Sequence, residues 1–393
     1  MDTNIPINTN GKKRVLIFSL AYFPLVAGAE VAVKEITDRI FPKEAEFEMV
    51  TRRFSRTDLV REQIGNILVH RVGFGGKTFF PVTAFIKAVQ LHQKNHFHLL
   101  WSIMANYAGF GALFFKLFHP CVPFVLTLQE GDPIEHIKKR VGVFYSIFKM
   151  IFTKADRIQA ISNFLAEWAK EMGARTSPVV VPNGVDVRRF QVSSFKFQVE
   201  EREQIREKLG FNSDDTILIT TSRLVEKNAV GDIIESLQYL PENVKLLIIG
   251  TGFLENDLKL KARTLNLEAR INFLGFISHE ELPKYLWVSD IFTRPSLSEG
   301  MGNSFIEAMV AGLPVIATPV GGIVDFLKDG ETGLFCEVGN PKSIAQKVEK
   351  LMKDSESRRY ILENASKMVR EKYDWDLIAE RMKREVFDVV IDP

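Results

Sequence analysis

Two carboxylates, Glu299 and Glu307, stand eight residues apart and are the pair in this sequence best placed for chemistry. Residues 305–310 predict a helix, so Glu307 lies one to two turns inside it and Glu299 lies in the loop just ahead. Both side chains can therefore reach one ligand. Carboxylates repel phosphate, so we expect hydroxyl partners: a ribose for Glu307 and a sugar for Glu299. The alternative is a solvated Glu307 beside a Glu299 that favours the helix dipole.

The loop between the two carboxylates has the residues of a phosphate cradle. Gly300 and Gly302 let the backbone turn sharply and approach a ligand closely. Asn303 and Ser304 come at the predicted helix start, where free N–H groups attract phosphate oxygens. Residues 290–317 predict the order strand, loop, helix, strand. This is the parallel α/β unit, whose binding sites form where strand ends meet helix starts.

Residues 295–309 resemble the E-x7-E signature of retaining, family-4-type glycosyltransferases with the two-domain GT-B fold. The match continues through residues 314–322, Pro-Val-Ile-Ala-Thr-Pro-Val-Gly-Gly, and residues 329–335, Asp-Gly-Glu-Thr-Gly-Leu-Phe. The resemblance implies a nucleoside-diphosphate sugar as co-substrate, retention of anomeric configuration, no cofactor and no metal. It also implies that the second domain binds the donor and the first binds the acceptor.

Arg223 and Lys227 lie four residues apart in a loop that follows a predicted strand. A departing nucleoside diphosphate needs positive charge, because negative charge builds up on its phosphate oxygens. Arginine can bind phosphate in a bidentate fork, and lysine acts as a point charge. The resembling family uses these two residue types at this spacing for the diphosphate. Arg223, Lys227 and Glu299 are therefore the catalytic candidates; outside the resemblance, such a cation pair would be an ordinary solvated loop.

Glycine turns at strand ends supply the other donor-binding candidates. Gly250 and Gly252 follow a buried strand and can offer backbone groups to the nucleotide. Relatives hold the base with backbone groups after the glycine of the next strand, which indicates Phe276 and Ile277. Only Gly28 remains of the family's glycine-rich loop after the first strand, and its alternative is a plain strand-to-helix turn. The missing G-x-G-x-x-G fingerprint counts against a dinucleotide-binding enzyme.

Polar residues Gln129, Glu130 and Asp132 follow another predicted strand, at the end where α/β proteins bind ligands. Many relatives have Thr-x-His here, and this sequence keeps Thr127 but replaces the histidine with Gln129. Glutamine can bond a sugar or acceptor hydroxyl but cannot exchange protons near neutral pH, so it cannot serve as an imidazole base. Glu130 and Asp132 are the candidates for acceptor hydroxyls, with an ordinary Asx turn as the alternative.

These residues require an alternating α/β framework. Strands are predicted at 14–20, 47–51, 67–71, 98–102 and 124–128, with helices at 82–92 and 107–118. Longer helical segments are predicted at 134–152, 279–288 and 341–373. The alternation predicts doubly wound parallel sheets. With the resemblance, the fold class is α/β, with two Rossmann-like domains facing a cleft. We expect an acceptor-binding domain at 1–190, a nucleotide-sugar-binding domain at 191–373, and a C-terminal helix at 374–393 that crosses back toward the first domain.

The composition indicates a soluble protein. The chain has 393 residues, enough for two domains with sizeable cores, and 46% of them are hydrophobic. No apolar run reaches the ~18 residues of a membrane span, and the polar N-terminus has no signal-peptide pattern. Cys121 and Cys336 fall in different predicted domains, which argues against a disulfide framework. We expect a cytoplasmic location.

The net charge of +2 conceals an asymmetry. Residues 1–190 hold 25 basic and 16 acidic side chains, a net +9, and the remaining 26 basic and 33 acidic side chains give −7. The predicted helix 134–152 is apolar on most sides, and basic residues adjoin it. A second aromatic segment contains Phe79, Phe80 and Phe85. We expect the first domain to meet an anionic membrane surface, with a glycan or lipid-linked acceptor and no nucleic acid. The alternative is that helix 134–152 belongs to the core.

Other activities remain open at this point. A nucleotide-sugar epimerase of the same fold would use the same donor-binding residues. No pyridoxal-binding lysine can be recognised, which argues against a phosphorylase. A catalytically silent, sugar-nucleotide-binding partner protein would explain Gln129 and the reduced glycine loop, but the presence of Arg223, Lys227 and both carboxylates argues against it.

Overall fold

A computed structural model of the protein describes residues 12–40, 44–73, 76–190 and 199–391. The described residues pack into two compact units. The first contains those within Met1–Glu130, Ile134–Asn183 and Trp375–Pro393, and the second those within Gly131–Pro133 and Gly184–Asp374. The predicted domain boundary after residue 190 stays a prediction; in the structure, residues 184–190 pack with the second unit.

The first unit is a layered α/β structure built on an eight-stranded sheet. Its strands are β1 Lys13–Phe18, β2 Ala45–Arg52, β3 Arg61–Ile64, β4 Ile67–Val72, β5 Leu99–Ile103, β6 Phe124–Leu128, β7 Arg157–Ala160 and β8 Val179–Val180. Their order is β3-β4-β2-β1-β5-β6-β7-β8, with β3 antiparallel to β4 and all other pairs parallel. The helices are α1 Gly28–Arg39, α2 Phe80–Asn95, α3 Tyr107–Phe118, α4 Ile134–Val141, α5 Tyr145–Lys154 and α6 Asn163–Glu171.

The second unit repeats the architecture with six strands, all parallel. Its strands are β9 Thr216–Thr221, β10 Val244–Ile249, β11 Ile271–Gly275, β12 Ile291–Arg294, β13 Val315–Ala317 and β14 Leu334–Phe335. Their order is β11-β10-β9-β12-β13-β14. The helices are α7 Val187–Phe190, α8 Val199–Lys208, α9 Val230–Ser236, α10 Glu255–Thr264, α11 Leu282–Val288, α12 Asn303–Val310, α13 Pro341–Lys353 and α14 Ser355–Lys372. This is the doubly wound order, in which the winding direction reverses between β9 and β12.

The last described residues pack on the first unit. They form α15 Trp375–Arg381, a π-helical turn Met382–Phe387 and α16 Asp388–Ile391. Trp375 is buried, and the rings of Trp101 and Phe387 lie 5.0 Å apart, edge to face. The guanidinium of Arg157 donates to the carbonyl oxygen of Glu385 at 2.9 Å. Apolar and backbone contacts therefore fix this segment to the first sheet.

The predicted helix 134–152 is wrong as a single element. Its two halves, α4 and α5, are separated at Gly142, which has φ +52°, a backbone conformation that only glycine adopts freely. The interruption turns the apolar side chains that follow it in new directions. Ile137 and Phe148 are buried, whereas Val143 and Phe144 are exposed.

Two other predicted helices have different bounds. The helix predicted to begin at residue 279 begins at Leu282, with Pro283 in its first turn, where proline is favoured. The helical segment 341–373 divides at Asp354, whose side chain accepts from the Ser357 N–H and caps α14. The short edge strands β3 and β14 were not predicted, because strands of four and two residues are too short to show a periodic pattern.

Candidate active site

Four of the predicted site residues come together at the switch point of the second sheet. Arg223 and Lys227 follow β9, Glu299 and Ser304 follow β12, and the two strands are hydrogen-bonded neighbours. Parallel strands end at the same edge, so residues about seventy positions apart in the chain meet there. This edge is where open α/β sheets bind ligands.

Lys227 is held by oxygen atoms of the Gly131–Pro133 segment, which packs with the second unit. Its Nζ donates to the Gly131 carbonyl oxygen at 2.7 Å and lies 3.6 Å from Asp132 Oδ1. Burial lowers the pKa of Lys227, and the charges of Glu299 and Asp132 oppose that shift. Because the Gly131 carbonyl is a neutral partner, a phosphate oxygen that replaced it would gain a charge-assisted hydrogen bond.

Gly131 lies close to both catalytic candidates Lys227 and Glu299. A Cβ added there would lie 2.8 Å from Lys227 Nζ and 3.4 Å from Glu299 Oε1. The Ser298 hydroxyl also donates to the Gly131 carbonyl oxygen, at 3.3 Å. The segment therefore lies directly against the catalytic candidates. Sequence reasoning chose its neighbour Asp132 as an acceptor contact and overlooked Gly131.

Arg223 presents an exposed guanidinium on an anchored loop. Among the described residues, its side chain has no hydrogen-bonding or ionic partner. Its backbone is fixed, because the Asn228 side chain donates to the Arg223 carbonyl oxygen at 2.7 Å. A fixed loop with an unpaired guanidinium is suited to gripping a phosphate through two parallel hydrogen bonds.

Gly250 and Gly252 pack closely against the backbone of the loop that carries Arg223. A Cβ on Gly250, which has φ +129°, would lie 1.9 Å from the Ser222 carbonyl oxygen. A Cβ on Gly252 would lie 2.2 Å from the Leu224 carbonyl oxygen. Both glycines are thus required for close backbone approach to the residues flanking Arg223. Their direct contact with the nucleotide stays a prediction.

Glu299 is nearly buried and fully engaged. One carboxylate oxygen forms an ion pair with Arg294 Nη2, and the other accepts from the Gly300 N–H at 3.2 Å. Its carbonyl oxygen accepts from the Gly322 N–H at 3.1 Å. Gly321, with φ +54°, passes so close that a Cβ would lie 1.9 Å from that carbonyl. The Gly-Gly pair of the matched sequence therefore fixes the backbone of Glu299.

Arg294 is a site residue that the sequence analysis missed. It is 6% exposed at the end of β12, and its side chain bonds Glu299, the Ser296 hydroxyl at 3.2 Å and the Ser304 hydroxyl at 2.6 Å. Its guanidinium lies 4.3 Å from the centre of the Phe305 ring. The sequence did contain a signal for Arg294: a charged residue in the last position of a buried strand, five residues before Glu299.

The predicted phosphate cradle is formed by the start of α12. Gly302, with φ +88°, precedes the helix, and a Cβ there would collide with the Phe305 ring at 2.5 Å. Asn303 and Ser304 open the helix, and no side chain caps it by a hydrogen bond. The first N–H groups of α12 are therefore not occupied by a side-chain cap, as an anion site requires.

Glu307 lies inside α12 and is 9% exposed, so it is not a solvated surface residue. Its Oε1 atom is 3.0 Å from Nε2 of His279. The Nδ1 atom of His279 is 3.2 Å from Nη1 of Arg189. Sequence reasoning assigned His279 to a helix start and gave it no role. Its nearness to Glu307 depends on how the loop before α11 packs against α12, so no short-range pattern reveals it.

Comparisons with known proteins agree with this geometry. The family model "Glycosyl transferases group 1" matches residues 201–368, and "Glycosyltransferase Family 4" matches residues 26–189. The capsular polysaccharide biosynthesis glycosyltransferase CapM of Staphylococcus aureus is 30% identical over 272 residues, which cover 66% of this chain and 69% of CapM. The chain belongs to the family-4-type glycosyltransferases with the GT-B fold. The resemblance inferred from the sequence and the predicted fold class are confirmed.

Two further relatives define how far the likeness of this glycosyltransferase extends. An uncharacterized glycosyltransferase of Methanocaldococcus jannaschii is 32% identical over 203 residues, so the match spans about half of each chain, 51% in both cases. The crystal structure of HepE from Anabaena, in complex with UDP and glucose, has a TM-score of 0.80 at 18% identity and covers 95% of this chain and 99% of HepE. At that identity the likeness concerns the fold alone.

The other predicted ligand-binding residues of this glycosyltransferase lie in both units. Gly28 is the exposed first residue of α1, and in the first unit Gln129 Oε1 accepts from Asn183 at 3.1 Å. One oxygen of Glu130 accepts from the Ala105 N–H at 2.6 Å. In the second unit, the residues after β11 are an exposed Phe276 and a half-buried Ile277. For these five residues, contact with the donor or the acceptor stays a prediction.

Within the described part of the chain, no helix is long and apolar enough to cross a membrane. The same residues contain no group of three histidine, cysteine, aspartate or glutamate side chains arranged to hold a metal ion.

Proposed function

We propose that this glycosyltransferase moves a sugar from a nucleoside-diphosphate sugar to a hydroxyl group of a glycan or lipid-linked acceptor. Transfer retains the anomeric configuration and requires no metal ion. The observation that carries the proposal is the placement of Lys227 beside Glu299, with Arg223 on the same loop after β9. The complex of HepE with UDP and glucose supports a nucleotide-sugar donor, and the name of CapM supports a glycan acceptor.

The bond that breaks joins the anomeric carbon of the sugar to a diphosphate oxygen. Negative charge grows on the departing phosphate, and the Arg223 fork and the Lys227 ammonium stabilise it there. Lys227 exchanges the Gly131 carbonyl for a phosphate oxygen. The N–H groups at the start of α12, which no side chain caps, bind a second set of phosphate oxygens. These groups supply the positive charge that a divalent cation gives in other transferases.

The sugar and the ribose have separate carboxylate partners in this scheme. Glu299, held by Arg294, faces the sugar where positive charge develops, and Glu307 accepts a hydrogen bond from a ribose hydroxyl. The acceptor oxygen attacks from the face that the phosphate leaves, and its proton passes to the departing phosphate. No side-chain base is then needed, which is compatible with Gln129 in the place of the family's histidine.

A donor screen tests the proposal directly. A ligand that binds only the folded state raises the apparent stability, so thermal shifts with nucleoside diphosphates and their sugars identify the donor. Transfer to candidate glycans is then followed with and without EDTA, and the product anomer is assigned by NMR. Transfer that stops with EDTA, or inversion of the anomer, would contradict the mechanism. Interconversion of the donor without any acceptor would identify an epimerase instead.

We also propose that the first unit binds an anionic membrane surface. The turn between α4 and α5 exposes Val143 at 93% and Phe144 at 60%, and the basic residues Lys138, Lys139 and Arg140 immediately precede it. Phe79 and Phe118 are 74% and 72% exposed on neighbouring segments of the same unit. Each basic residue near an anionic leaflet contributes about 1 kcal/mol, and inserted apolar side chains add to that.

The structure corrects two details of the predicted membrane segment. Phe80 is 1% exposed and belongs to the core. Phe85 packs against Phe118, with ring centres 5.0 Å apart, and so supports the exposed ring without being the contact itself. The exposed set is therefore Phe79, Phe118, Val143 and Phe144.

Co-sedimentation with vesicles of varied anionic lipid content, at low and high salt, tests the membrane proposal. We expect binding that rises with anionic lipid, weakens with salt and falls several-fold in Val143→Asp. Leu260→Asp is a matched control, because Leu260 is equally apolar and 60% exposed but lies in the second unit. Equal, negligible sedimentation under all conditions would favour a soluble acceptor.

A further inference from the structure

A chain of four polar side chains in the second unit ends at Glu307. Arg189 Nε is 3.6 Å from Asp186 Oδ2, and its Nη1 is 3.2 Å from Nδ1 of His279. The other ring nitrogen of His279 is 3.0 Å from Glu307 Oε1. The Phe190 ring packs against the imidazole with ring centres 5.1 Å apart. The imidazole is thus fixed by both nitrogens and by one face.

The partners determine which nitrogen of His279 carries the proton. A guanidinium has only donors, so Arg189 donates and Nδ1 of His279 accepts. In the neutral imidazole the proton is then on Nε2, which donates to Glu307 Oε1. A proton on Nδ1 would point an N–H group at a cation. Arg189 therefore orients His279 with its Nε2–H group toward Glu307.

This arrangement divides the two oxygens of Glu307 between two tasks. Oε1 is occupied by His279, and among the described residues Oε2 has no protein partner. The Glu307 side chain is 12% exposed, so most of it is shielded from water. A largely buried carboxylate held by one oxygen, with the other open, is an oriented acceptor for a single hydroxyl group.

We propose that His279 is a positioning residue, aligned by Arg189, that makes the glycosyltransferase select ribonucleotide over deoxyribonucleotide donors. The proposal rests on the proposed function, in which Glu307 receives a ribose hydroxyl. A site built to hydrogen-bond a hydroxyl rejects the analogue that lacks it, because a buried polar group is then left without a partner. Without His279, the carboxylate can rotate toward water, and the missing hydroxyl then matters less.

The test measures binding of nucleoside diphosphates rather than turnover. Uridine, guanosine and adenosine diphosphates are compared by calorimetry, and the tightest is carried forward with its 2′-deoxy and 3′-deoxy analogues. We expect the wild-type protein to discriminate against at least one deoxy analogue by roughly 10- to 100-fold, the range of a hydrogen bond to a charged group. In His279→Ala, the ratio should fall to about 3-fold or less.

Two variants separate positioning from a merely structural role. His279→Gln keeps an N–H donor at a similar reach and should recover most of the discrimination, whereas a purely structural ring would not be replaced by glutamine. His136→Ala removes an exposed histidine of the first unit and should leave the ratio unchanged. If His279→Ala does not fold, Arg189→Met serves instead, since it removes the aligning donor and retains the imidazole.

The outcomes distinguish this inference from the proposed function. If no nucleoside diphosphate binds the wild-type protein, the proposed function fails. If one binds and Glu307→Gln lowers its affinity, but His279→Ala retains the full ribose preference, the role of His279 is overturned. A wild-type protein that binds ribose and deoxyribose forms equally would overturn it as well. Loss of preference in His279→Ala with recovery in His279→Gln supports it.

Discussion

The two units of the molecule share an architecture but differ in how their predicted ligand residues are arranged. In the second unit, Lys227 and Glu299 flank one backbone segment, and Arg294 joins Glu299 to the start of α12. In the first unit, Gln129 and Glu130 bond separate local partners. Preorganised polar groups act without reorganisation at the moment of reaction, so under the proposed function the second unit already holds the donor-binding groups in place. The first unit offers exposed apolar and basic surface instead.

The largest effect should follow from breaking the buried ion pair of the second unit. In Arg294→Met, Glu299 is left buried without its cation, and we expect a loss of about 3–5 kcal/mol in the free energy of unfolding. Arg294→Lys retains the charge but cannot bond two hydroxyls and a carboxylate together. Urea denaturation of each variant measures the loss.

A double variant sharpens that prediction. If the cost arises from the uncompensated carboxylate, Glu299→Gln should reduce the effect of Arg294→Met in a double-mutant cycle. Simple additivity of the two substitutions would show that Arg294 stabilises the unit through its stacking on Phe305 and its serine contacts instead.

The two diphosphate cations should affect turnover and leave stability nearly unchanged. Arg223→Ala and Lys227→Ala should each lower turnover by roughly 10²–10³, the loss for one preorganised charge donor. Both lie in loops, so both variants should unfold at wild-type denaturant concentrations. Lys284→Ala, an exposed lysine of the same unit, is the control. Wild-type turnover in either variant would contradict the assignment of that residue to the diphosphate.

Glu299 and Glu307 should separate kinetically although they lie eight residues apart. Glu307→Gln should mainly weaken donor binding, because a ribose contact is made in the ground and transition states alike. Glu299→Gln should mainly lower turnover, because positive charge develops near it only as the bond breaks. Steady-state measurements of kcat and KM for the donor distinguish the two; interchanged phenotypes would reverse the roles.

Much of the fold was predictable from local pattern. Helix α3 and strand β6 have the predicted bounds, because each is a compact apolar run between turn residues. The helix break at Gly142 was not predicted, because a single glycine in a helical pattern is usually tolerated. Its left-handed conformation here depends on the packing of both halves.

The candidate site was predictable only where chemistry follows a motif. Arg223, Lys227, Glu299 and Glu307 were found because their spacing along the chain matches a family pattern. Arg294 and His279 were missed because partners of both lie on other elements and are joined to them only by folding; Arg189 and His279 are 90 residues apart in the chain. His279 thus had no short-range signature, although it determines which oxygen of Glu307 remains open.

The smallest predicted effect concerns the first unit and its histidines. Burial, aided by the charges of His119, His96 and His98, lowers the pKa of His92 to about 4. Burial also lowers the pKa values of His98 and His119. Above about pH 6.5, His92 is neutral in the folded and unfolded states and contributes no pH dependence. Between that pH and about 4, the unfolded chain binds a proton that the folded unit does not, so stability falls as the pH falls.

We therefore expect the melting temperature of the wild type to drop on acidification from pH 7 to pH 5. The melting temperature of His92→Asn should drop by about 2–4 °C less over the same range. Asparagine retains an acceptor for the Phe97 N–H, which His92 Nδ1 bonds at 3.1 Å, but it does not titrate. His136→Asn is the control, since that histidine is exposed and should leave the wild-type slope intact. Carboxylates also titrate in this range, so the quantity that decides is the difference between the two slopes. Equal slopes for the wild type and His92→Asn would show that His92 is protonated in the folded unit as readily as in the unfolded chain.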